Sequence, residues 1–380
     1  MKYCGHSHWL GLHTGDSKIT FTHSDRAQTL VQELPSCESQ KPSLFVLIGN
    51  TGKSLALREL ISGPTRAKST AKRGHGEIHL HINSSTVFGD RPVLFADGDI
   101  PLHQKPSKAL STEKCHEVTS RILPRLRDTI PTPSLQKAAD NVYFRLLSPF
   151  TDVFCFFAAD LGGLQPIARR IATWLDLGQP STLPPETHPQ IVIVVESSAP
   201  ELQESHILDR FLRLLNEETQ REISTQFAGV RILSLLSDGD VSAQARHRKL
   251  KECLMNTSDQ VRLARLESRT LFSALHFAAF LNHACSHLAE SVTQPFDFIR
   301  TSRLDNQPAP DLREHLINLL TKIKTPQELT EFAIPLIASS FLLDSYPPDM
   351  HRGWNYRRGI RNLIVCRLQP FRYLPSPVQG

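Results

Sequence analysis

A chain of 380 residues, 40% of them hydrophobic, is long enough to bury a sizeable core and to form roughly two or three structural units. The net charge of +5 (43 Lys and Arg against 38 Asp and Glu) is too small for this length to indicate a nucleic-acid partner. The seven cysteines show no C-x-x-C spacing, and no apolar run has the length of a signal sequence or a membrane span, so we expect a cytoplasmic protein with reduced thiols and no transmembrane segment.

The first 42 residues are polar and mixed, and we treat them as an N-terminal extension (1–42). Within it, KITFTH (18–23) alternates polar and apolar residues and predicts an edge strand. From Leu44 onward, short apolar runs recur between segments of helical or loop character. These runs are LFVLIG (44–49), EIHLHIN (77–83), PVLFADGD (92–99), DVFCFFAAD (152–160), QIVIVVESS (190–198) and VRILSLLSD (230–238).

The first run leads into GNTGKS (49–54), whose last three residues match the end of the phosphate-binding loop G-x-x-x-x-G-K-[ST]. The first glycine of that pattern would fall at Leu47, so a turn that starts at Gly49 is two residues too short. In such a loop, backbone N–H groups surround a phosphate, the lysine reaches the terminal phosphates and the serine binds magnesium. We predict weak nucleotide binding here, with Lys53 as a surface charge whose removal leaves the fold intact. The predicted site residues are Gly49, Asn50, Thr51, Gly52, Lys53 and Ser54.

Helical periodicity follows the loop and recurs at LQPIARRIATWL (164–175) and HILDRFLRLLNEE (206–218). Near-continuous apolar runs are typical of parallel strands buried on both faces, whereas the alternating EIHLHIN predicts a half-exposed antiparallel edge strand. This order resembles the sheet of small-GTPase-like P-loop NTPases. The predicted fold of residues 43–240 is therefore α/β, a P-loop NTPase-like, mostly parallel sheet with flanking helices.

Helical periodicity replaces the apolar runs after Asp240, for example in QVRLARLESRTLFSALHFAAFLNHACSHL (260–288). We predict an all-helical region at 241–350. The segment 351–380 combines arginines with aromatic residues, and its prolines argue against a long helix, so we treat it as a basic C-terminal tail.

A second motif, PVLFADGD, brings Asp97 to the end of a strand, where a carboxylate would bind magnesium. Asp99 is the alternative ligand. The same residues are also explained by a strand followed by an ordinary Asp-Gly turn with no metal site. The D-x-x-G of GTPases is incomplete because Ile100 occupies the glycine position, and VVESSAPE (194–201) lacks N-K-x-D, so guanine specificity is not indicated. We predict Ser54 and Asp97 as ligands of Mg²⁺ bound with ATP or GTP.

Two longer segments, PFTDVFCFFAADLGGLQPIARRIATWL (149–175) and IPLIASSFLLDSYPPDMH (334–351), resemble the N-terminal nucleotide-binding region of large fungal patatin-like phospholipase proteins. The resemblance implies a regulatory module that precedes a lipase domain. This chain has no G-x-S-x-G serine elbow, so lipase activity is not implied for it.

Two functions lead at this point, and a third, the binding of acidic lipid or another anion by the basic tail, lacks the amphipathic order that it would need. The first is a nucleotide-binding switch or regulatory module that hydrolyses nucleoside triphosphate slowly or not at all, because the sequence assigns neither an arginine finger nor a water-positioning glutamine. The second is a pseudo-NTPase interaction module, in which the loop is degenerate and the helical region contacts a protein partner. The catalytic residues are not identified in either case.

Overall fold

The computed structural model describes residues 6–15, 18–61, 76–99, 116–123, 135–196, 204–236, 241–302 and 311–344. The chain divides into two compact units, Met1–Phe298 and Ile299–Gly380. The predicted tail at 351–380 lies outside the described residues.

The first unit contains a nine-stranded mixed sheet. Its strands are β1 (His8–Gly15), β2 (Lys18–Ser24), β3 (Ser43–Ile48), β4 (Glu77–Ile82), β5 (Val93–Gly98), β6 (Val118–Ile122), β7 (Val153–Phe157), β8 (Gln190–Glu196) and β9 (Gly229–Leu235). Across the sheet the order is β6-β2-β1-β4-β5-β3-β7-β8-β9. Strands β5, β3, β7, β8 and β9 pair in parallel, and the pairs from β6 through β4 to β5 are antiparallel.

Helices account for most of the remaining described residues. They are α1 (Arg26–Gln32), α2 (Thr51–Leu60), α3 (Leu135–Asp140), α4 (Leu164–Asp176), α5 (Glu204–Glu218), α6 (Ala243–Glu267), α7 (Ala274–Glu290), α8 (Phe298–Thr301), α9 (Leu312–Leu320), α10 (Pro326–Glu328) and α11 (Ile334–Asp344). The prediction of a helical C-terminal region is confirmed. None of the described helices is long and apolar enough to cross a membrane.

The parallel half of the sheet agrees with the predicted α/β fold, but the sheet as a whole is mixed rather than mostly parallel. The segment EIHLHIN is not at an edge, because β1 pairs with the outer side of β4. KITFTH does form a strand, β2, but β6 covers it. Alternation along a strand reports which of its faces are buried, and it does not report whether another strand lies beside it.

Strand β7 illustrates why the apolar runs predict buried strands. Phe154 and Phe156 point into the core on one face of the sheet, where the indole of Trp174 from α4 packs against both rings. Val153, Cys155 and Phe157 point into a second core under α2 and α6. A strand with a hydrophobic core on each face has no polar side, so its sequence is continuously apolar.

A buried polar network anchors α6 at the amino-terminal ends of β3 and β7. The Arg265 guanidinium donates to Asp152 Oδ1 at 2.8 Å and to the carbonyls of Thr151 and Thr187 at 2.8 and 3.2 Å. Ser258 Oγ donates to the other Asp152 oxygen at 2.5 Å. Because Arg265 and Asp152 are both buried, these contacts fix the position of α6 against the sheet.

The outer edge of β9 is bonded to side chains rather than to another strand. The Ser234 N–H donates to Glu204 Oε1 at 2.8 Å, and Lys249 Nζ donates to the Ser234 carbonyl at 3.2 Å. Helices α5 and α6 thus each place one charged side chain on this edge.

Burial lowers the pKa of four histidines among the described residues, His8, His13, His23 and His188. Burial, together with the neighbouring His79, lowers the pKa of His8 to about 4. Burial beside Arg265 lowers the pKa of His188 to about 4. Both values lie below the pKa of a histidine in an unfolded chain, about 6.5.

We expect the free energy of unfolding to decrease as the pH falls from about 6.5 towards 4, because the unfolded chain then binds protons that the folded chain does not. Protonation of His8 alone should account for roughly 3 kcal/mol of this loss, which begins near pH 6.5 and is complete below the folded pKa. Urea unfolding at a series of pH values measures this slope. His8→Asn should flatten this slope, and equal slopes in wild type and His8→Asn would contradict the assignment.

Candidate functional site: the loop between β3 and α2

The predicted loop lies where the sequence places it, between a buried strand and a helix. Strand β3 ends at Ile48 and α2 begins at Thr51, with only two residues between them. Asn50 precedes the helix but makes no side-chain hydrogen bond to it. The first N–H groups of α2 therefore need another acceptor, as they do at every helix start.

The carboxylate of Asp160 is that acceptor. Its Oδ2 accepts the N–H groups of Asn50 at 2.7 Å and Lys53 at 2.9 Å, and its Oδ1 accepts the N–H of Gly52 at 2.9 Å. In a nucleotide-binding loop these amides would surround a phosphate. Here an anionic group of the chain itself takes that position.

Of the two glycines of the loop, only Gly49 is needed for the carboxylate to approach so closely. A Cβ on Gly49 would lie 2.6 Å from Asp160 Oδ2, which is closer than real Cβ atoms come to any neighbour. A Cβ on Gly52 would lie 3.4 Å from both carboxylate oxygens. Position 49 therefore requires glycine in this structure, because any side chain there would clash with the carboxylate of Asp160.

Lys53 is buried, so the prediction that it is a surface charge is wrong. Its side chain is only 3% exposed, and Nζ lies 2.8 Å from Asp97 Oδ1 and 2.9 Å from the carbonyl of Gly98, to which it donates. Asp97 is 1% exposed. The Lys53 ammonium group is therefore bound by Asp97 and the Gly98 carbonyl at the carboxyl end of β5.

The remaining predicted site residues are also placed by protein contacts. Ser54 Oγ donates to the Asn50 carbonyl at 2.8 Å, and Thr51 is exposed at the start of α2. Asp97 Oδ2 lies 3.9 Å from His81 Nε2, in addition to the contact with Lys53. Ser54 and Asp97 are thus both bonded within the protein, and the prediction that they bind Mg²⁺ stays a prediction.

Within the described stretches, no group of three or more His, Cys, Asp or Glu side chains is arranged to hold a metal ion.

The side chain of Tyr143 lies at the same end of β5. Its hydroxyl donates to the Asp99 carbonyl at 2.9 Å, and a Cβ on Gly98 would overlap the phenolic oxygen. Burial, reinforced by Asp99 and Asp97, raises the pKa of Tyr143 well above its usual value, so the phenol stays protonated and can donate. Asp99, the alternative metal ligand, accepts the N–H of Gly76 at 3.2 Å.

Sequence analysis did not identify Asp160 or Tyr143 as part of this site. A signal for Asp160 was present, because the run DVFCFFAAD ends in it and the carboxyl ends of neighbouring parallel strands meet at one edge of a sheet. Strand β7 pairs directly with β3, which leads into the loop. No comparable signal marks Tyr143, which lies in the π-helical segment Asn141–Leu147 between α3 and β7.

No family model and no curated protein matches the chain. The resemblance to patatin-like phospholipase proteins therefore stays a prediction. Among solved structures, the chain is similar to an ADP-ribosylation factor-like GTP-binding protein, the small COPII coat GTPase SAR1 from Encephalitozoon cuniculi in complex with GDP. That match has 12% identity and a TM-score of 0.25, and it covers 62% of this chain and 89% of that one. A TM-score this low does not establish a common fold, so the functional argument rests on the geometry of the loop.

Proposed function

We propose that the chain is a P-loop NTPase-like interaction module that does not bind nucleotide. The observation that carries the proposal is the Asp160 carboxylate, which accepts three N–H groups of the loop. The context of the loop, after a buried parallel strand and before α2, is the one that a phosphate-binding loop requires. The fold is thus retained while the anion site is filled from within.

Electrostatics favours this interpretation over a nucleotide switch. A triphosphate would have to displace a carboxylate of the same charge sign from the loop. It would also have to recruit Lys53, which would leave the buried Asp97 without its ion pair. Breaking a buried pair costs about 3–5 kcal/mol, which weakens binding by roughly two to four orders of magnitude.

The helical segments supply apolar surface for a protein partner. On α6, Leu263 and Leu266 are 57% and 53% exposed. In the second unit, Ile317, Leu320 and Phe332 are exposed as well. Exposed apolar side chains are a common feature of protein contact surfaces, and they support the interaction half of the proposal.

Titration of the purified chain with fluorescently labelled ATP and GTP, with and without magnesium, tests the claim that the chain does not bind nucleotide. We expect no saturable binding up to about 1 mM, where the standard binding free energy would be only about −4 kcal/mol. Micromolar binding that requires magnesium would overturn the proposal and support the nucleotide switch instead.

A second experiment tests the claim that the chain binds a protein partner independently of nucleotide. Once proximity labelling has identified a partner and that partner has been purified, its affinity for the chain should not change when Mg-GTP or Mg-ATP is added. Leu263→Glu combined with Leu266→Glu should weaken that affinity, whereas the exposed Arg248→Glu on the same helix should not. A partner that binds only in the presence of nucleotide would contradict this assignment.

A further inference from the structure

The turn between β4 and β5 presents a phenylalanine almost entirely to solvent. Phe88 is 88% exposed, whereas the other large apolar side chains that the structure describes are at most 66% exposed. A single exposed apolar side chain is ordinary on a protein surface. Phe88 differs from the others because an unusually dense set of hydrogen bonds holds the backbone that carries it.

Hydrogen bonds fix this turn on both sides of Phe88. The Thr86 hydroxyl donates to the Asn83 carbonyl at 2.8 Å and accepts the N–H of Val93 at 2.9 Å. The Gly89 N–H donates to the Thr86 carbonyl at 3.1 Å. Because the backbone is already ordered, little conformational entropy is left to lose when the phenyl ring is bound.

The buried Gln40 ties this turn to two neighbouring segments. Its side-chain amide donates to the carbonyls of the two residues that flank Phe88, at 2.7 and 2.6 Å. Its backbone carbonyl accepts the N–H of Ala274, at the start of α7, at 2.7 Å. The next residue, Leu275, is itself 48% exposed. We call the surface that these bonded segments form the Phe88 face; it comprises residues 36–41, 83–91 and 273–275.

The fully exposed charges of the Phe88 face are negative. Glu38 and Asp90 are exposed, whereas the two cations of the face, Lys41 and Arg91, are half-buried. Arg91 is also engaged in an ion pair with α6. A partner that buries the phenyl ring would therefore meet carboxylates around it, and lysine or arginine side chains would complement them.

We propose that Phe88 anchors an interface with a protein that offers an apolar pocket with a basic rim. The phenyl ring fills the pocket, and Glu38 and Asp90 pair with the cations of the rim. Aromatic residues are enriched at the centre of protein interfaces, where a few side chains carry most of the binding energy. The proposal rests on the proposed function, and it assigns a contact surface other than the exposed leucines of α6.

Two other occupants fit this face less well. The apolar cleft between α2 and α6, lined by Leu60 and Met255, has a volume of about 40 Å³. A cavity that accepts a benzene ring measures about 150 Å³, so this cleft of a second copy would not admit the ring of Phe88. A membrane surface rich in anionic lipid would repel Glu38 and Asp90.

Photo-crosslinking tests the anchor in cells that make the full chain. p-Benzoylphenylalanine in place of Phe88 should crosslink to a protein that the same residue in place of Leu55, which is 45% exposed on α2, does not capture. The crosslinked protein is then purified, and its affinity for the chain is measured by isothermal titration. We expect Phe88→Ala to weaken this affinity at least about tenfold and Leu55→Ala to change it less than about twofold.

Charge reversal tests the basic rim with the same purified protein. Asp90→Lys should weaken binding, most strongly at low salt, because it places a cation opposite the cations of the rim. Glu59→Lys is the matched control, since it makes the same change at an exposed carboxylate of α2. Stronger binding by Asp90→Lys, or crosslinking from position 88 only to lipid or to a second copy of the chain, would overturn the proposal.

Stability separates a binding role of Phe88 from a structural one. Phe88→Ala should leave the midpoint of urea unfolding unchanged, because a ring that is 88% exposed has few contacts to lose. A lower midpoint together with weaker binding would mean that Phe88 supports the fold, and the anchor would be wrong. If a partner binds wild type and Phe88→Ala equally well, or if proximity labelling finds a partner that position 88 does not crosslink, the anchor is wrong and the proposed function stands. Micromolar binding of nucleotide would instead overturn the proposed function.

Discussion

Lys53→Ala should lower the free energy of unfolding by about 3–5 kcal/mol, although the motif that contains Lys53 is one associated with ligand binding. The substitution leaves the carboxylate of Asp97, which is 1% exposed, without its partner at 2.8 Å. It also removes a donor from the buried carbonyl of Gly98. Urea unfolding followed by circular dichroism measures the change.

Arg58→Ala is the matched control for this experiment, because Arg58 is an exposed cation on the same helix. It should change stability by no more than about 0.5 kcal/mol. The double variant Lys53→Met with Asp97→Asn should be less destabilised than the sum of its two single variants, with a coupling of at least about 1 kcal/mol. A loss below about 1 kcal/mol for Lys53→Ala would mean that the ion pair does not stabilise the fold.

Arg265→Ala should have an effect of similar size, about 3–5 kcal/mol, at the opposite end of the parallel strands. Among the described residues, it leaves the buried Asp152 carboxylate with Ser258 as its remaining side-chain donor, and it removes the donors to the carbonyls of Thr151 and Thr187. Arg265→Lys should lose less, since it keeps the charge, but it cannot reproduce the planar fork of donors. Chemical denaturation monitored by tryptophan fluorescence measures both variants.

Arg248→Ala provides the comparison on the same helix, because Arg248 is exposed. We expect its stability to lie within about 0.5 kcal/mol of wild type. If Arg265→Ala were no more destabilised than Arg248→Ala, the network around Asp152 would not be what holds α6 on the sheet.

The parallel half of the sheet could be predicted because strands that are buried on both faces consist of apolar residues. Val153, Phe154, Cys155, Phe156 and Phe157 are all apolar, since β7 has a core on each face. Strands β2 and β4 of the antiparallel half were predicted as strands, but β1 and β6 could not be predicted in the same way. Strand β6 has the polar sequence VTSRI and β1 contains glycine and histidine, so their pairing depends on distant partners rather than on local pattern.

The site shows the same division between local and distant information. The sequence GNTGKS predicted the position of the loop and the start of α2, because turn and helix signals are local. It could not predict that Lys53 is buried, since the partner, Asp97, is supplied by another strand. Nor could it predict the occupant of the loop, because Asp160 lies 107 residues further along the chain than Lys53.

The side chains on the edge of β9 have a consequence for the behaviour of the protein in concentrated solution. An unpaired strand edge can accept a strand from another molecule and so template aggregation. At Ser234 both backbone groups are already bonded, the N–H to Glu204 and the carbonyl to Lys249. An incoming strand would have to break both bonds and desolvate two charged groups, so strand addition is disfavoured at this position of β9.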